Sequence, residues 1–202
     1  MKNIIEMEQV HGNRVCFVKK NNKTKINTNN SNSDSSVQII KKCDGLVTDD
    51  PNVVLSIRVA DCLPVFFYSP TTNSIGLIHA GWRGLYKGII GKTIELFRKK
   101  LKTESQELFV FIGPHICQKH YEVKIDVAKK FSKYPKAIKK IKGNIFLDIG
   151  EIAKKQLISL GVKKNNIKID STCTYETKSL DSFRRGDLKK RTKYLFSLPD
   201  SS

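Results

Sequence analysis

Three short stretches each place a soft or borderline metal ligand beside small or turn-forming residues: Q-V-H-G at 9–12, A-D-C-L-P at 60–64 and H-A-G-W-R-G at 79–84. His11 precedes Gly12, Cys62 sits at a strand end before the turn-forming Pro64, and His79 closes the run "IGLIH" ahead of Ala80 and Gly81. Side chains at strand ends next to small residues can converge on one cleft, because the backbone there can approach closely. Two imidazoles and a thiolate suit zinc. Three protein ligands would leave a fourth position for water or substrate, as in a catalytic site. Spacing alone also leaves the plainer reading open, since a strand histidine is more often a hydrogen-bonded core residue and a buried cysteine is usually inert packing.

The elements that must hold these residues can be read from periodicity. "DGLVTD", "NVVLSIRVA", "LPVFFY" and "IGLIH" are β-branched and aromatic runs separated by Asp, Pro, Asn and Gly, and they predict four closely spaced strands. After Gly84 the period changes: Leu85, Ile89, Thr93, Phe97 and Leu101 recur every fourth residue and predict one apolar helix face. "ELFVFIGP" reads as a strand ending in a Gly-Pro turn, and "YEVKIDVAKKFSKY" as a second, shorter helix. Asp148 with Glu151 resembles a capping arrangement opening a helix through Leu160 that Gly161 stops. "NIKID" is a late strand, and "SFRRGDLKKRTKYLFSL" a basic turn with a closing strand. Strands mixed with a few helices, without regular alternation, point to α+β layers. Segment 19–42, rich in Lys, Asn and Ser with almost no apolar residue before Val37, reads as a surface insertion, disordered or a long hairpin loop, within one domain spanning 1–202.

Bulk properties narrow the partners. The formal charge is +18, but only seven of the 37 basic residues are Arg. Lys and Asn share A-rich codons, so compositional bias accounts for the balance. The lysines form no stripe interleaved with aromatics, which argues against nucleic acid as the main partner. The longest apolar stretches are too short to cross a bilayer, and the N-terminal residues lack the apolar run of a signal peptide. The expectation is a soluble cytoplasmic protein. Five cysteines, at 16, 43, 62, 117 and 173, show no regular pairing and are expected to be reduced thiols. The absence of a C-x-x-C pair argues against a structural zinc finger.

Taken together and in order, "EMEQVHG", "CDGLVTD", "VADCLPV", "LIHAGWRG", "FIGPHI", "HYEV", "STCT" and "SFRR" make the chain resemble the YfiH family, whose members carry the names purine nucleoside phosphorylase and multicopper polyphenol oxidase (laccase). The resemblance covers nearly the whole chain apart from 19–42. It implies a layered α/β sandwich of mixed sheet and helices, related to a cysteine-hydrolase and toxin-deamidase fold. It also implies a zinc ion, or else copper, on His11, Cys62 and His79. The implied activities are phosphorolysis of adenosine, inosine and methylthioadenosine, and deamination of adenosine. A purine nucleoside and phosphate would be the small-molecule partners.

The remaining site candidates follow from that chemistry. Asp61, next to Cys62, is a candidate general acid/base, or equally a turn-stabilising aspartate. Arg83, close after His79 at a helix start, is the first candidate for phosphate; Arg58 and Arg184 are further ones that could instead make structural ion pairs. Trp82 could stack on a purine or serve as a core indole. Cys62 could also be a nucleophile with His79 as its base, in a Cys/His hydrolase or deamidase. The resemblance also implies, as alternatives, editing of peptidoglycan precursors or copper-dependent polyphenol oxidation, and an inactive basic binding protein is a further alternative. With four His in the chain, a site of several coppers is short of ligands. The sequence departs from the family at "CQKH", where G-P-C-C is common, so Cys117 and His120 are individual features. It departs again at "RRGDLKKR". The family's F-x-T-R-x-G-G-x-S element, usually some tens of residues upstream of Q-V-H-G, has no counterpart in these residues, as in a short variant or a fragment.

Overall fold

The computed structural model describes residues 2–19 and 37–199. Their strands are β1 (Asn3–Met7), β2 (Val15–Phe17), β3 (Val37–Ile40), β4 (Gly45–Thr48), β5 (Val53–Val59), β6 (Leu63–Ser69), β7 (Ser74–Ala80), β8 (Phe109–Ile112), β9 (Glu122–Val123), β10 (Ile138–Ile141), β11 (Asn144–Leu147), β12 (Ile167–Ile169) and β13 (Thr192–Ser197). The α-helices are α1 (Trp82–Tyr86), α2 (Ile89–Leu96), α3 (Ile125–Lys129) and α4 (Ile149–Ser159).

The β4–β7 block forms as predicted: β4, β6 and β7 have apolar residues for two faces, whereas β5 turns Val53, Leu55, Ile57 and Val59 to one core. In β7, Ile75 and Leu77 join one core, while Ile78 and Ala80 join the other. In β6, Leu63, Val65 and Phe67 take the second side, and Phe66 and Tyr68 the first. A strand apolar on both faces must be covered twice, and this one is. The six-stranded sheet, in order β12-β8-β6-β7-β4-β2, lies between a four-stranded sheet, β13-β5-β1-β3, and a layer containing α1, α2 and α4. Both sheets mix parallel and antiparallel pairs. A small antiparallel sheet, β10-β11-β9, sits beside them. The architecture is the α+β layered sandwich that the sequence predicts.

Three local expectations are corrected. The helix after His79 starts earlier, at Trp82, and is not continuous: Gly88, with φ +79°, breaks it between α1 and α2, and a π-helical turn at Phe97–Leu101 follows. The helix foreseen in "YEVKIDVAKKFSKY" shrinks to α3, because Glu122 and Val123 pair with β11 instead. Within the stretch 19–42, Val37–Ile40 is not loop but forms β3, parallel to β1 and in a different sheet from β2. The rest of that insertion, residues 20–36, lies outside the described residues. Asp148 caps α4 as predicted, accepting the Glu151 amide at 2.8 Å, and Gly161 follows the helix with φ +94°. No helix of the described residues is long and apolar enough to cross a membrane.

Candidate metal centre

The antiparallel register of β6 and β7 sets Leu63 opposite Ala80 and Pro64 opposite His79. This brings Cys62, just before β6, beside the end of β7. His79 and Cys62 fall on the face of the central sheet turned toward the four-stranded sheet, by the same alternation that places Ile75, Leu77, Phe66 and Tyr68 there. His11 arrives from the other layer, on the loop that follows β1. The ligand atoms of His11, Cys62 and His79 lie within 4.8 Å of one another. The two imidazole rings meet edge to face at 4.7 Å between centroids. His11 is exposed, Cys62 partly so, and His79 buried.

Asp44 organises this corner, and reasoning from sequence missed it. It sits just before β4 with no exposed surface. His79 Nδ1–H donates to its Oδ1 at 2.9 Å, while the backbone amides of Val10, His11 and Gly12 donate to its two oxygens at 3.2, 2.9 and 2.7 Å. One carboxylate therefore fixes a ring tautomer on the central sheet and wraps the Q-V-H-G loop around itself. The wrapped loop puts His11 at φ +55°, in the left-handed region. With Nδ1 committed to Asp44, Nε2 of His79 is the nitrogen left to face Cys62 and to ligate a metal. Two small residues make room. A Cβ on Gly81 would lie 2.8 Å from the Cys62 sulfur, and one on Gly84 would lie 3.1 Å from the Gly12 carbonyl oxygen.

The electrostatics are those of a shared ion pair. Burial alone would push the Cys62 thiol up, but His79 and His11 beside it bring its pKa down to about 6. Burial likewise disfavours a charged His79, yet Cys62 and Asp44 raise its pKa to about 9. Burial works against ionised Asp44 too, and His79 with the Gly12 and Val10 amides still holds its carboxyl below the ordinary value. Two nitrogens and a thiolate converging on one point fit a single borderline ion such as zinc.

The other candidates separate clearly. Asp61, buried and at φ +81°, accepts the Thr174 hydroxyl at 2.7 Å and the Arg184 backbone amide at 2.8 Å. Its carboxylate thus ties the turn before Cys62 to a segment more than a hundred residues away. Arg184 also donates to the Glu122 carbonyl at 2.8 Å and lies 5.1 Å from the Tyr121 ring. Arg83 is exposed and rests 4.6 Å from the ring of Trp82, which packs partly against the helix-side core. Arg58 is not brought to the centre. It points to the outer face of the four-stranded sheet, where it pairs with Glu6 at 3.6 Å. Tyr121 was also missed: burial raises its pKa, Cys62 and Asp61 add to the rise, and Arg184 and Arg83 oppose it, so its hydroxyl sits in the field of all four. Only its place in "HYEV" signalled it. His115 is a core histidine, its Nδ1 bonded to the Gly113 carbonyl at 2.9 Å.

With the geometry established, comparison with known proteins places the chain. The profile of the family described as "Multi-copper polyphenol oxidoreductase laccase" matches residues 1–193. The chain is 32% identical over 173 residues to "Purine nucleoside phosphorylase YlmD" of Geobacillus stearothermophilus, covering 83% of this chain and 61% of that protein. It is 29% identical over 188 residues to the protein of the same name from Bacillus subtilis, covering 91% and 66%. The chain therefore spans roughly three-fifths to two-thirds of the length of these curated relatives. The crystal structure of the Bacillus licheniformis hypothetical protein YfiH superposes with a TM-score of 0.84 at 29% identity, covering 97% of this chain and 74% of that one. YlmD from Geobacillus stearothermophilus gives a TM-score of 0.85 at 27% identity, covering 98% and 74%. A profile match across nearly the whole length, joined to the same fold, makes the chain a member of the YfiH family.

Proposed function

We propose that the chain is a metal-dependent purine nucleoside phosphorylase that also deaminates adenosine, with His11, Cys62 and His79 holding one zinc ion. The observation that carries this reading is the three-donor cluster, in a chain whose relatives bear the phosphorylase name. Zinc, when bound, supplies Lewis acidity next to the substrate. The chain's own residues do the rest. The guanidinium groups of Arg83 and Arg184 neutralise phosphate, since an anion must approach the ribose carbon. Tyr121 lies in the field of both arginines and presents a hydroxyl. Its high pKa keeps that hydroxyl protonated, so it can donate to a substrate oxygen. Asp61, held by Thr174 and Arg184, serves in this reading to fix the turn that aims Cys62 and as the general acid/base. Zinc is favoured over copper because two imidazoles and one thiolate complete a single three-ligand site, whereas multicopper chemistry calls for more histidines than the four present.

The test is direct. Purified chain with adenosine, inosine or methylthioadenosine and phosphate should yield the free base and the pentose 1-phosphate, with hypoxanthine also from adenosine, all resolved by mass spectrometry. Cys62→Ala should abolish turnover. No product above that control would sink the proposal.

One observation favours a second reading. Cys62, His79 and Asp44 form a thiolate–imidazole–carboxylate series of the kind that activates a nucleophile. Metal content separates the two. About one ion at this cluster, lost on His11→Ala, opposes a free nucleophilic thiolate.

A further inference from the structure

A second convergence of donors lies where the connection after β8 meets the connection after β12. Cys117 Sγ is 3.3 Å from His120 Nδ1, and Cys173 Sγ is 3.7 Å from the same nitrogen. The Glu176 carboxylate oxygen Oε1 is 3.6 Å from it. The ligand atoms of Cys117, His120 and Cys173 all fall within 4.8 Å of one another. Tetrahedral coordination with bonds of about 2.3 Å to sulfur and about 2.0 Å to nitrogen or oxygen separates neighbouring ligands by roughly 3.3–3.8 Å. The three distances measured from Nδ1 all lie in that interval.

The sequence explains the convergence. Cys117 and His120 are three residues apart, and so are Cys173 and Glu176. Each pair is folded back on itself by a tight turn: the His120 amide donates to the Cys117 carbonyl at 3.1 Å, and the Glu176 amide to the Cys173 carbonyl at 3.2 Å. The two turns are joined by a bridge between His115 and Cys173, and the Cys117 amide donates to the Cys173 sulfur at 3.3 Å. This is the ligand logic of two knuckles, each with two residues between its donors, and with His and Glu in the second position. That is why a search for C-x-x-C pairs passes over it. The His120 ring is fixed by stacking on Tyr175 at 4.3 Å. Cys173 is buried, while Cys117 and His120 are partly covered. Lys119 also reaches Glu176 Oε1, at 3.2 Å, from the solvent side.

We propose that Cys117, His120 and Cys173 form a second metal site for a divalent zinc-class ion, distinct from His11, Cys62 and His79, with Glu176, whose carboxylate already reaches His120, turning in to take the fourth position. With Glu176 in the fourth position no coordination site stays open, so the role is structural. The ion holds the 113–121 and 170–177 connections together, and Thr174, next to Cys173, carries that order to Asp61 through their 2.7 Å hydrogen bond. Binding displaces the thiol protons to solvent.

The experiment uses the full chain purified and kept under reductant, loaded with zinc, desalted and assayed by elemental mass spectrometry against protein concentration. About two ions per chain are expected, with His11→Ala and Cys173→Ser each losing one. A Cys173→Ser chain that holds as much zinc as the wild type overturns the proposal, whatever the wild-type total. Should Cys173→Ser fail to fold, cobalt loading of Cys62→Ser decides, because that substitution removes the only thiolate of the first cluster. A thiolate-to-cobalt charge-transfer band that persists in Cys62→Ser and disappears on adding Cys117→Ser supports the site. Absence of the band from Cys62→Ser refutes it. None of these readouts depends on turnover, so failure of the phosphorylase reading leaves this test intact.

Discussion

Asp44 makes four hydrogen bonds from a position with no solvent contact, so replacing it removes more than a charge. Asp44→Asn would offer an amide where the His79 ring and three backbone amides need acceptors. Zinc affinity at His11, Cys62 and His79 should fall by about 10–100-fold, measured by competition with a chromophoric chelator. The titrating groups make a second prediction. In metal-free protein the Cys62 thiol, ordinarily near 9, is held at about 6, and His79 is raised to about 9. A depressed thiol stabilises the fold above its unfolded pKa and loses that contribution as pH falls through about 6. A raised histidine stabilises below about 6.5 and loses its share as pH rises through about 9. Their mutual stabilisation is therefore greatest between those two limits. Alkylation of Cys62 by iodoacetamide should rise with a midpoint near pH 6 and be suppressed by zinc. A midpoint near 9 would contradict the pairing. At this scale spacing made the three donors plausible, and the ordered motifs shared with the YfiH family singled them out from the other His and Cys residues. Asp44 was not legible, since an aspartate before glycine reads as a turn residue, and Tyr121 was hidden by its aromatic character.

Elements position these residues through backbone that tolerates little. Gly81 sits between β7 and α1, where any Cβ would press on the Cys62 sulfur at 2.8 Å. Gly88 has the opposite character: it is left-handed at φ +79°, with nothing near the space a Cβ would take. Gly88→Ala should cost about 1 kcal/mol in denaturant unfolding and leave metal content unchanged. Gly81→Ala should keep more of its stability than of its metal, because the sulfur has to move. Equal metal loss in both variants would show that helix placement, not sulfur contact, governs the site. The strands around the centre were readable as β-branched runs. The helix break was not, because a four-residue apolar period continues across Gly88 and the interruption lies in backbone conformation. β3 escaped for a different reason: Val37–Ile40 is short, follows a polar tract, and gains its order by pairing with β1.

Over the whole molecule, the six-stranded sheet is shared by two apolar cores, so neither outer layer has a separate interior to fall back on. Phe67, fully buried on the helix side and 6.1 Å from the Phe97 ring, is the most direct probe. Phe67→Ala should destabilise by about 3–5 kcal/mol, with near-ultraviolet and far-ultraviolet dichroism moving together through one denaturant transition. Separated transitions would mean that the four-stranded layer holds on its own. The layered class was visible in the mixture of strand and helix patterns, but the order of strands was not. β5 takes one neighbour, β1, from near the start of the chain and the other, β13, from near its end, and no local pattern announces pairings over such separations.

His11 belongs to the loop that leaves the outer sheet, whereas Cys62 and His79 stand on the central one. If one ion joins all three, it is a latch between two leaves of the sandwich. Its occupancy and the parting of those leaves then draw on a single free energy. Every unit of affinity for the ion is a unit of resistance to opening at that edge, and whatever pries the sheets apart there expels the ion.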